Sequence, residues 1–435
     1  MAKTPEESAL NNDPRGCGFR HRTTVEAFSS IIHSSVTRID SETISPGIAL
    51  GRVLSETLFA PVDIPGFDRA AMDGFALRAE ETFGSDIYTP SRFQLIGRSR
   101  PGTGFAGTVG PGEAVAIATG APIPEGADSV VPVEFTELAG NQVVVRSPVT
   151  PGRHIGQAGE DVKSATPVIP AGQVLRPQDI GLCAGLGMKS VSAVKKPRIA
   201  IIATGDELNT TSDSSGKSHF QINDINSPML SALISRDGGD PVLIGPLKDN
   251  ALILKSTLVE LSARNDIHGI FINGGSSAGP EDHAPAVLAE SGKLLVHGVA
   301  LRPASPTGFG LIGIKPVLLI PGNPVSSLCA YDFFGRLIVR KLAGLATASP
   351  YPVVKYKLAH KLSSTLGRVD YVRVKFKSET NEIEVIATSG ASILSGATRA
   401  TGFVVVPANL EGYPAGAIVD VHCYDTFQLP YQEIS

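Results

Sequence analysis

The chain has no tryptophan, and only four cysteines and four methionines among its 435 residues. Cys17, Cys183, Cys329 and Cys423 lie far apart, with no CxxC pair and no metal-ligand spacing. That argues against a disulfide framework and a structural zinc, and leaves free thiols in a reducing compartment as the simple expectation. The nine histidines contain no HExxH or HxxxH pair, so the common zinc-hydrolase signature is missing too. No apolar run approaches the roughly 20 residues of a membrane span. No apolar stretch follows Met1 in the way a secretory signal requires, so a cytoplasmic protein is expected, in which the sequon at Asn209 has no role. Charge of one sign is also lacking. The net charge of −4 provides no basic field for nucleic acid or an anionic membrane, and neither is expected as a partner.

Glycine (46) and proline (32) are abundant, and they are spread along the chain. This pattern reads as many turns between short elements. The length calls for about three domains or more. Residues 1–19 read as a loose polar tail. Thr23-x-x-Glu26 resembles a capping box before an apolar helical stripe of Val25, Phe28, Ile31, Ile32 and Val36. Residues 49–147 alternate short β-type runs with Pro-Gly punctuation, and residues 148–196 are turn-rich. From 197 to 348, apolar strands at 199–203, 242–244, 270–273, 294–297 and 316–320 alternate with helices at 228–236, 251–264, 282–291 and 325–342. Ser227 is the expected N-cap of the first. Such alternation predicts a mostly parallel sheet. Residues 349–435 return to β-type alternation.

Ligands of parallel sheets bind at the carboxyl ends of the strands. Three loops there are unusual: Thr204-Gly205-Asp206-Glu207-Leu208, Gly274-Gly275-Ser276-Ser277-Ala278-Gly279 and Pro321-Gly322-Asn323-Pro324. Small residues let a ligand approach the backbone, and the helix starts that follow favour anions. Asp206, Glu207, Asp224 and Asp282 lie on or beside these loops. Four carboxylates repel an anionic substrate unless a cation sits between them, and Mg²⁺ takes one or two carboxylates plus phosphate oxygens. Singly, each is as well explained as a solvated acid or a helix cap.

Two motifs fail on context. Gly102-x-Gly104-x-x-Gly107 matches a dinucleotide pattern, but no helix follows it. Gly275-x-Ser277-x-Gly279 matches a nucleophile elbow, but His297 comes only one helix later and Pro280 follows at once. A phosphate-cradling loop is the better reading of Ser277 than a hydrolase nucleophile. Asp68 and Asp73 bracket a segment that reads, by itself, as a turn. His283 reads as a helix N-terminal residue.

Taken together, the motifs resemble a known family. Pro65-Gly66-Phe67-Asp68-Arg69-Ala70-Ala71-Met72-Asp73-Gly74-Phe75-Ala76 is similar to a signature of the molybdopterin molybdenumtransferases, the gephyrin E-domain-like molybdenum insertases. So are the segments 112–128 and 153–161, and the three strand-end loops, all in one order. The resemblance implies a mixed α/β multidomain fold. An elongated linking domain would take residues 20–48 and 148–196, a β-rich domain 49–147, an α/β molybdopterin-binding domain 197–348 and a C-terminal β-domain 349–435. It implies Mg²⁺-dependent insertion of molybdate into adenylylated molybdopterin with release of AMP. It also implies a homodimer whose cleft brings Asp73 and Thr119 of one subunit to Glu207 and Asp282 of the other, as catalytic residues. Asp224 and Asp282 would hold Mg²⁺. Gly274, Gly275, Ser277, Pro321, Gly322, Asn323 and Pro324 would cradle phosphates and pterin, and Arg302, Ser326 and Arg368 would bind the oxyanion. A molybdopterin adenylyltransferase and recipient molybdoenzymes are the implied partners.

Departures from the family pattern are Ser305, where a lysine is usual, Pro280 in place of an acid, Thr166 for a glycine and Thr401 for an asparagine. Losing a cation at an oxyanion site costs several kcal/mol on the order of one lost anion-binding donor, and Arg302 is the residue placed to substitute. These departures motivate an alternative, a non-catalytic or altered paralogue that binds the pterin or partner proteins.

Overall fold

The structure is a computed structural model that describes residues 22–209, 221–276, 282–377, 379–387 and 392–424. The chain forms two compact units. One takes in residues 43–50 and 54–193; the other takes in residues 51–53 and the described chain up to 42 and from 194. At the base of the excursion, the Val194 N–H donates to the Val53 carbonyl at 2.8 Å. Among the described residues no helix is long and apolar enough to cross a membrane.

The first unit holds a six-stranded sheet. Its strands are β1 (Gly74–Leu77), β2 (Ser91–Ser99), β3 (Glu113–Ile117), β4 (Ser129–Pro132), β5 (Thr136–Ala139) and β6 (Gln142–Val145), in spatial order β4-β1-β3-β2-β6-β5. Phe75, Leu77, Phe93, Val131, Val143 and Val145 form its core. Beside the sheet, Arg69–Ala70 pairs antiparallel with Ile155–Gly156, so the segment after Asp68 opens as a short strand and bends only from Ala71 to Asp73.

The second unit is built on the sheet order β8-β7-β9-β13-β12-β10. The strands are β7 (Arg198–Thr204), β8 (Asp240–Leu247), β9 (Gly269–Asn273), β10 (Lys293–His297), β12 (Gly308–Ile312) and β13 (Lys315–Ile320). The first four in that order are parallel; β12 runs antiparallel to β13, and β10 runs antiparallel to β12, so β12 alone is reversed. Their continuous apolar runs follow from burial on both faces. Ile199, Ile201, Phe271, Leu318 and Ile320 enter one core; Ala200, Ile202, Ile270, Ile272, Val317 and Leu319 enter the other. Around the sheet pack α1 (Val25–Ser35), α2 (Asn226–Arg236), α3 (Ala251–Ala263), α4 (Ala284–Ser291), α5 (Pro324–Ala330) and α6 (Arg336–Leu342). Thr24, not Thr23, caps α1 by accepting the Ala27 N–H at 3.2 Å. The backbone of Thr23 is taken up by hydrogen bonds to Gly298 and Ala300.

The expected helix over 325–342 contains a π turn at Tyr331–Gly335, between α5 and α6. Its cause is tertiary. The Tyr331 hydroxyl donates to the Leu233 carbonyl and lies 3.0 Å from Asp237, and Gly335 leaves room for the Tyr331 ring. In the same turn, buried Asp332 accepts from Tyr351 (2.8 Å) and Tyr371 (3.1 Å).

Burial pushes the Asp332 carboxyl up to about 6, against the Tyr351 hydrogen bond that pulls it down. Its contribution to stability is therefore present below the unfolded value near 3.8 and is lost as pH rises through about 6. Asp332→Asn, which does not ionise, should gain on the wild type by ~1–3 kcal/mol between pH 4 and pH 7.5. Urea midpoints of both proteins at the two pH values check this; a gap independent of pH refutes it.

β11 (Leu301–Arg302) adds to the C-terminal sheet, whose other strands are β14 (Val353–Leu358), β15 (Val369–Lys377), β16 (Glu382–Ala387), β17 (Gly402–Val406) and β18 (Ile418–Cys423). The order is β11-β15-β16-β14-β18-β17, and β17 pairs back onto β15, which closes a five-stranded barrel. Cys183, Cys329 and Cys423 are free and buried; Cys17 lies outside the described residues.

Candidate functional site

Four parallel strands end on one rim. Gly274, after β9, has φ +102°, and a Cβ there would lie 2.5 Å from the Thr204 carbonyl at the end of β7. A Cβ on Gly322, after β13, would lie 3.7 Å from the Gly274 Cα. Thr204, Gly274 and Gly322 therefore form one contiguous row, as the strand-end loops predict. Two buried asparagines hold the row from below. Asn273 Nδ2 donates to the Pro321 carbonyl (3.1 Å), and Asn226 Nδ2 donates to the Gly322 carbonyl (2.6 Å) and to Asn273 Oδ1 (2.9 Å). Sequence reasoning missed both. The available signal was a polar residue ending the apolar run Ile270-Phe271-Ile272-Asn273. Among the described residues, Asn226 Oδ1 and Thr204 Oγ1 are buried without a hydrogen-bond partner.

The carboxylates surround this row. Asp224 Oδ1 accepts the N–H groups of Asn226 and Ser227, both at 3.0 Å. Asp224 thus does the capping expected of Ser227, because α2 begins two residues before Pro228. Asp282 and His283 immediately precede α4, His283 as its helix-start residue. The Glu207 carboxylate folds over Gly205, its Oε2 2.6 Å from where a Cβ would stand. Asp206 Oδ1 accepts the Asp249 N–H at 3.3 Å. The Asp249 carboxyl is raised by burial, with Glu207 and Asp206 adding repulsion.

Thr204, Lys248, Asp249, Asn250, Gly275 and His283 line a shallow cleft that opens to solvent. The loop 248–250 follows β8, so the strand-end rule that picked the other three loops applied to it as well. His297 Nε2 lies 2.9 Å from the Ser276 carbonyl, which fixes the ring as an Nε2–H donor there. Ser277 and Pro280 lie outside the described residues. Among the described residues no group of three or more His, Cys, Asp or Glu gathers that could hold a metal.

On the barrel side, Arg302 and Arg368 converge on Asp370, which sequence reasoning did not single out. Arg302 and Asp370 are direct neighbours in the β11–β15 ladder, and Arg302 Nη2 donates to Asp370 Oδ2. Arg368 lies in the bend just before β15, with Nε 3.8 Å from Asp370 Oδ1. Ser326 Oγ donates to the Pro303 carbonyl at 2.9 Å. Ser305, in the lysine position, turns back to donate to the Val299 carbonyl at 3.2 Å. Asn323 Oδ1 accepts from Ser392, and Pro324 opens α5.

In the other unit, Asp73 and Thr119 meet. Asp73 Oδ1 accepts both the N–H and the hydroxyl of Thr119, each at 2.7 Å, and the backbone bond leads in holding the carboxyl below its ordinary value. The three signature segments interlock around this pair. Ala70 exchanges backbone bonds with Gly120 and Ala121, Ala71 N–H donates to His154, and Ile123 N–H donates to Asp68. Asp68 itself holds the Ala158 N–H. The Gly102–Gly107 segment has a packing role: the Phe105 ring lies against Gly97 and Gly107, where a Cβ on either would collide.

Comparison with known proteins agrees along most of the chain. Residues 23–187 match the MoeA N-terminal region (domain I and II), residues 200–341 a probable molybdopterin binding domain, and residues 355–424 the MoeA C-terminal region (domain IV). A putative molybdopterin biosynthesis protein of Methanocaldococcus jannaschii is 34% identical over 86% of this chain and 90% of its own length. Molybdopterin molybdenumtransferase 2 of Mycobacterium tuberculosis is 31% identical over 86% and 92%. Crystal structures of the molybdopterin biosynthesis MoeA protein of Pyrococcus horikoshii superpose with TM-scores of 0.80 and 0.75, at 29% and 32% identity. Both superpositions cover 93% of this chain and all of the other. Carrying all three regions in order on one chain, this protein belongs to the MoeA family of molybdopterin molybdenumtransferases.

Proposed function

We propose that this chain inserts molybdate into adenylylated molybdopterin, with Mg²⁺ and with release of AMP. The observation that carries the reading is the Thr204–Gly274–Gly322 row, bare backbone at the carboxyl ends of parallel strands, flanked by Asp224. Bare backbone suits phosphate and pterin edges. Asp224 and Asp282 supply the hard oxygen donors that Mg²⁺ prefers, and one or two carboxylates suffice when phosphate supplies the rest. Asp224 has one oxygen committed to α2, which fixes its direction. Mg²⁺ bound there would neutralise phosphate charge as AMP leaves. Asn226 and Asn273 hold the 321–322 backbone in place for the substrate. In this reading two copies of the chain complete one cleft, with Asp73 and Thr119 from one and Glu207 and Asp282 from the other. An adenylyltransferase would supply the substrate and molybdoenzymes would take the product.

Purified protein given adenylylated molybdopterin, Mg²⁺ and molybdate should release AMP in proportion to molybdate. Chelation should stop the release and added Mg²⁺ should restore it. A second reading, an altered paralogue that only binds, is favoured by one observation: Ser305 replaces the usual lysine, and Arg302 is already engaged by Asp370. Pterin binding with no AMP release would select it.

A further inference from the structure

Arg302 and Arg368 present two positive charges within reach of one carboxylate, Asp370, which is 1% exposed while the arginine side chains are about one-third exposed. The contacts on Asp370 are unequal. Oδ2 takes Arg302 Nη2 and the Ser364 hydroxyl at 2.6 Å. Oδ1 faces Arg368 Nε at 3.8 Å, too long for a hydrogen bond, and both atoms are buried with no hydrogen-bond partner among the described residues. Arg368 is otherwise held by a 3.4 Å contact from Nη2 to Thr365 Oγ1. A buried carboxylate with one saturated and one idle oxygen is costly unless something is gained. What it gains here is a shared counter-charge: both guanidiniums lie within ion-pair distance of the one carboxylate, with a net charge of +1 across the three groups.

We propose that Asp370 is the positioning residue of an oxyanion site. It aligns Arg302 and Arg368 so that their exposed N–H groups receive one tetrahedral dianion. The inference rests on the proposed function only for the identity of that dianion, molybdate. Fixed donors of this kind bind an oxyanion without reorganising when it arrives.

The test uses equilibrium dialysis of molybdate against the purified full-length chain, with AMP-release kinetics and thermal melts in parallel. Asp370→Asn keeps the volume and removes the charge. It should weaken molybdate binding by about tenfold or more and raise the KM for molybdate, with kcat at saturation within about threefold. Asp370→Glu should recover most of the affinity. Ser364→Ala leaves the charge but frees Oδ2, and should weaken binding by about threefold. It decides the matter if Asp370→Asn does not fold. Wild-type molybdate affinity in folded Asp370→Asn, or in Ser364→Ala, overturns the proposal. So does an affinity loss that only tracks the unfolded fraction and that glutamate does not restore, and so does a wild type that binds no molybdate. Asp370-dependent molybdate binding without AMP release would instead sink the insertase reading and leave this one standing.

Discussion

Gly274→Ala should lower molybdate-dependent AMP release by about a hundredfold or more, while the melting temperature moves by only a few degrees. Two independent constraints act on this residue. Its φ of +102° is one that residues with a Cβ rarely adopt. Its Cβ would also stand 2.5 Å from the Thr204 carbonyl and 2.7 Å from Thr204 Oγ1. Relief requires the loop after β9 to lift off the end of β7, and Gly322 packs against that loop on its other side. The displacement, on the order of 1 Å, falls at the bare backbone and not in the core, so the damage is to positioning. Gly313→Ala is the control, with φ +59° and nothing within 4 Å of its Cβ, far along the β12–β13 hairpin. Equal activity of the two variants would refute the rim as the site of chemistry.

Phe28→Ala should destabilise the unit that carries the α/β sheet by about 3–5 kcal/mol. Phe28 is fully buried and stacks on Phe334 with ring centroids 4.0 Å apart, and the Phe309 centroid lies 6.1 Å away. Deleting the ring opens a cavity between α1, the π turn and β12 that these rigid neighbours cannot refill. Urea unfolding of the full chain should show the transition of this unit shifted to lower denaturant, with that of the 54–193 unit in place. A shift in the other transition alone, or in neither, would mean that α1 is not part of this core.

The parallel part of the sheet was legible because β7, β9 and β13 are unbroken apolar runs. β12 was not, since Gly308 and Gly310 break its β-type pattern. The structure gives the reason: a Cβ on Gly310 would lie 2.2 Å from the Lys293 carbonyl. The rim loops could be read from glycine after a strand. Asn226, Asn273, Asp249 and Asp370 could not, because each acquires its role from a partner distant in sequence, 68 residues away for Asp370 and Arg302. The π turn escaped for the same reason, its cause lying in Leu233 of α2 and in Asp237 just after that helix. Asp73 with Thr119 came from the resemblance alone, and their two hydrogen bonds are what the residues themselves would not have disclosed.

The bond between Val53 and Val194 makes residues 54–193 an insertion whose entry and exit are stitched together. Topologically the second unit experiences those residues as one long loop, and loop-closure entropy grows only logarithmically, by about 0.6 kcal/mol for each doubling of length. Lengthening or remodelling the excursion therefore barely taxes the host. The nascent chain meets the opposite situation, because α1 must wait for more than a hundred residues of foreign sequence to emerge before the strands it covers exist.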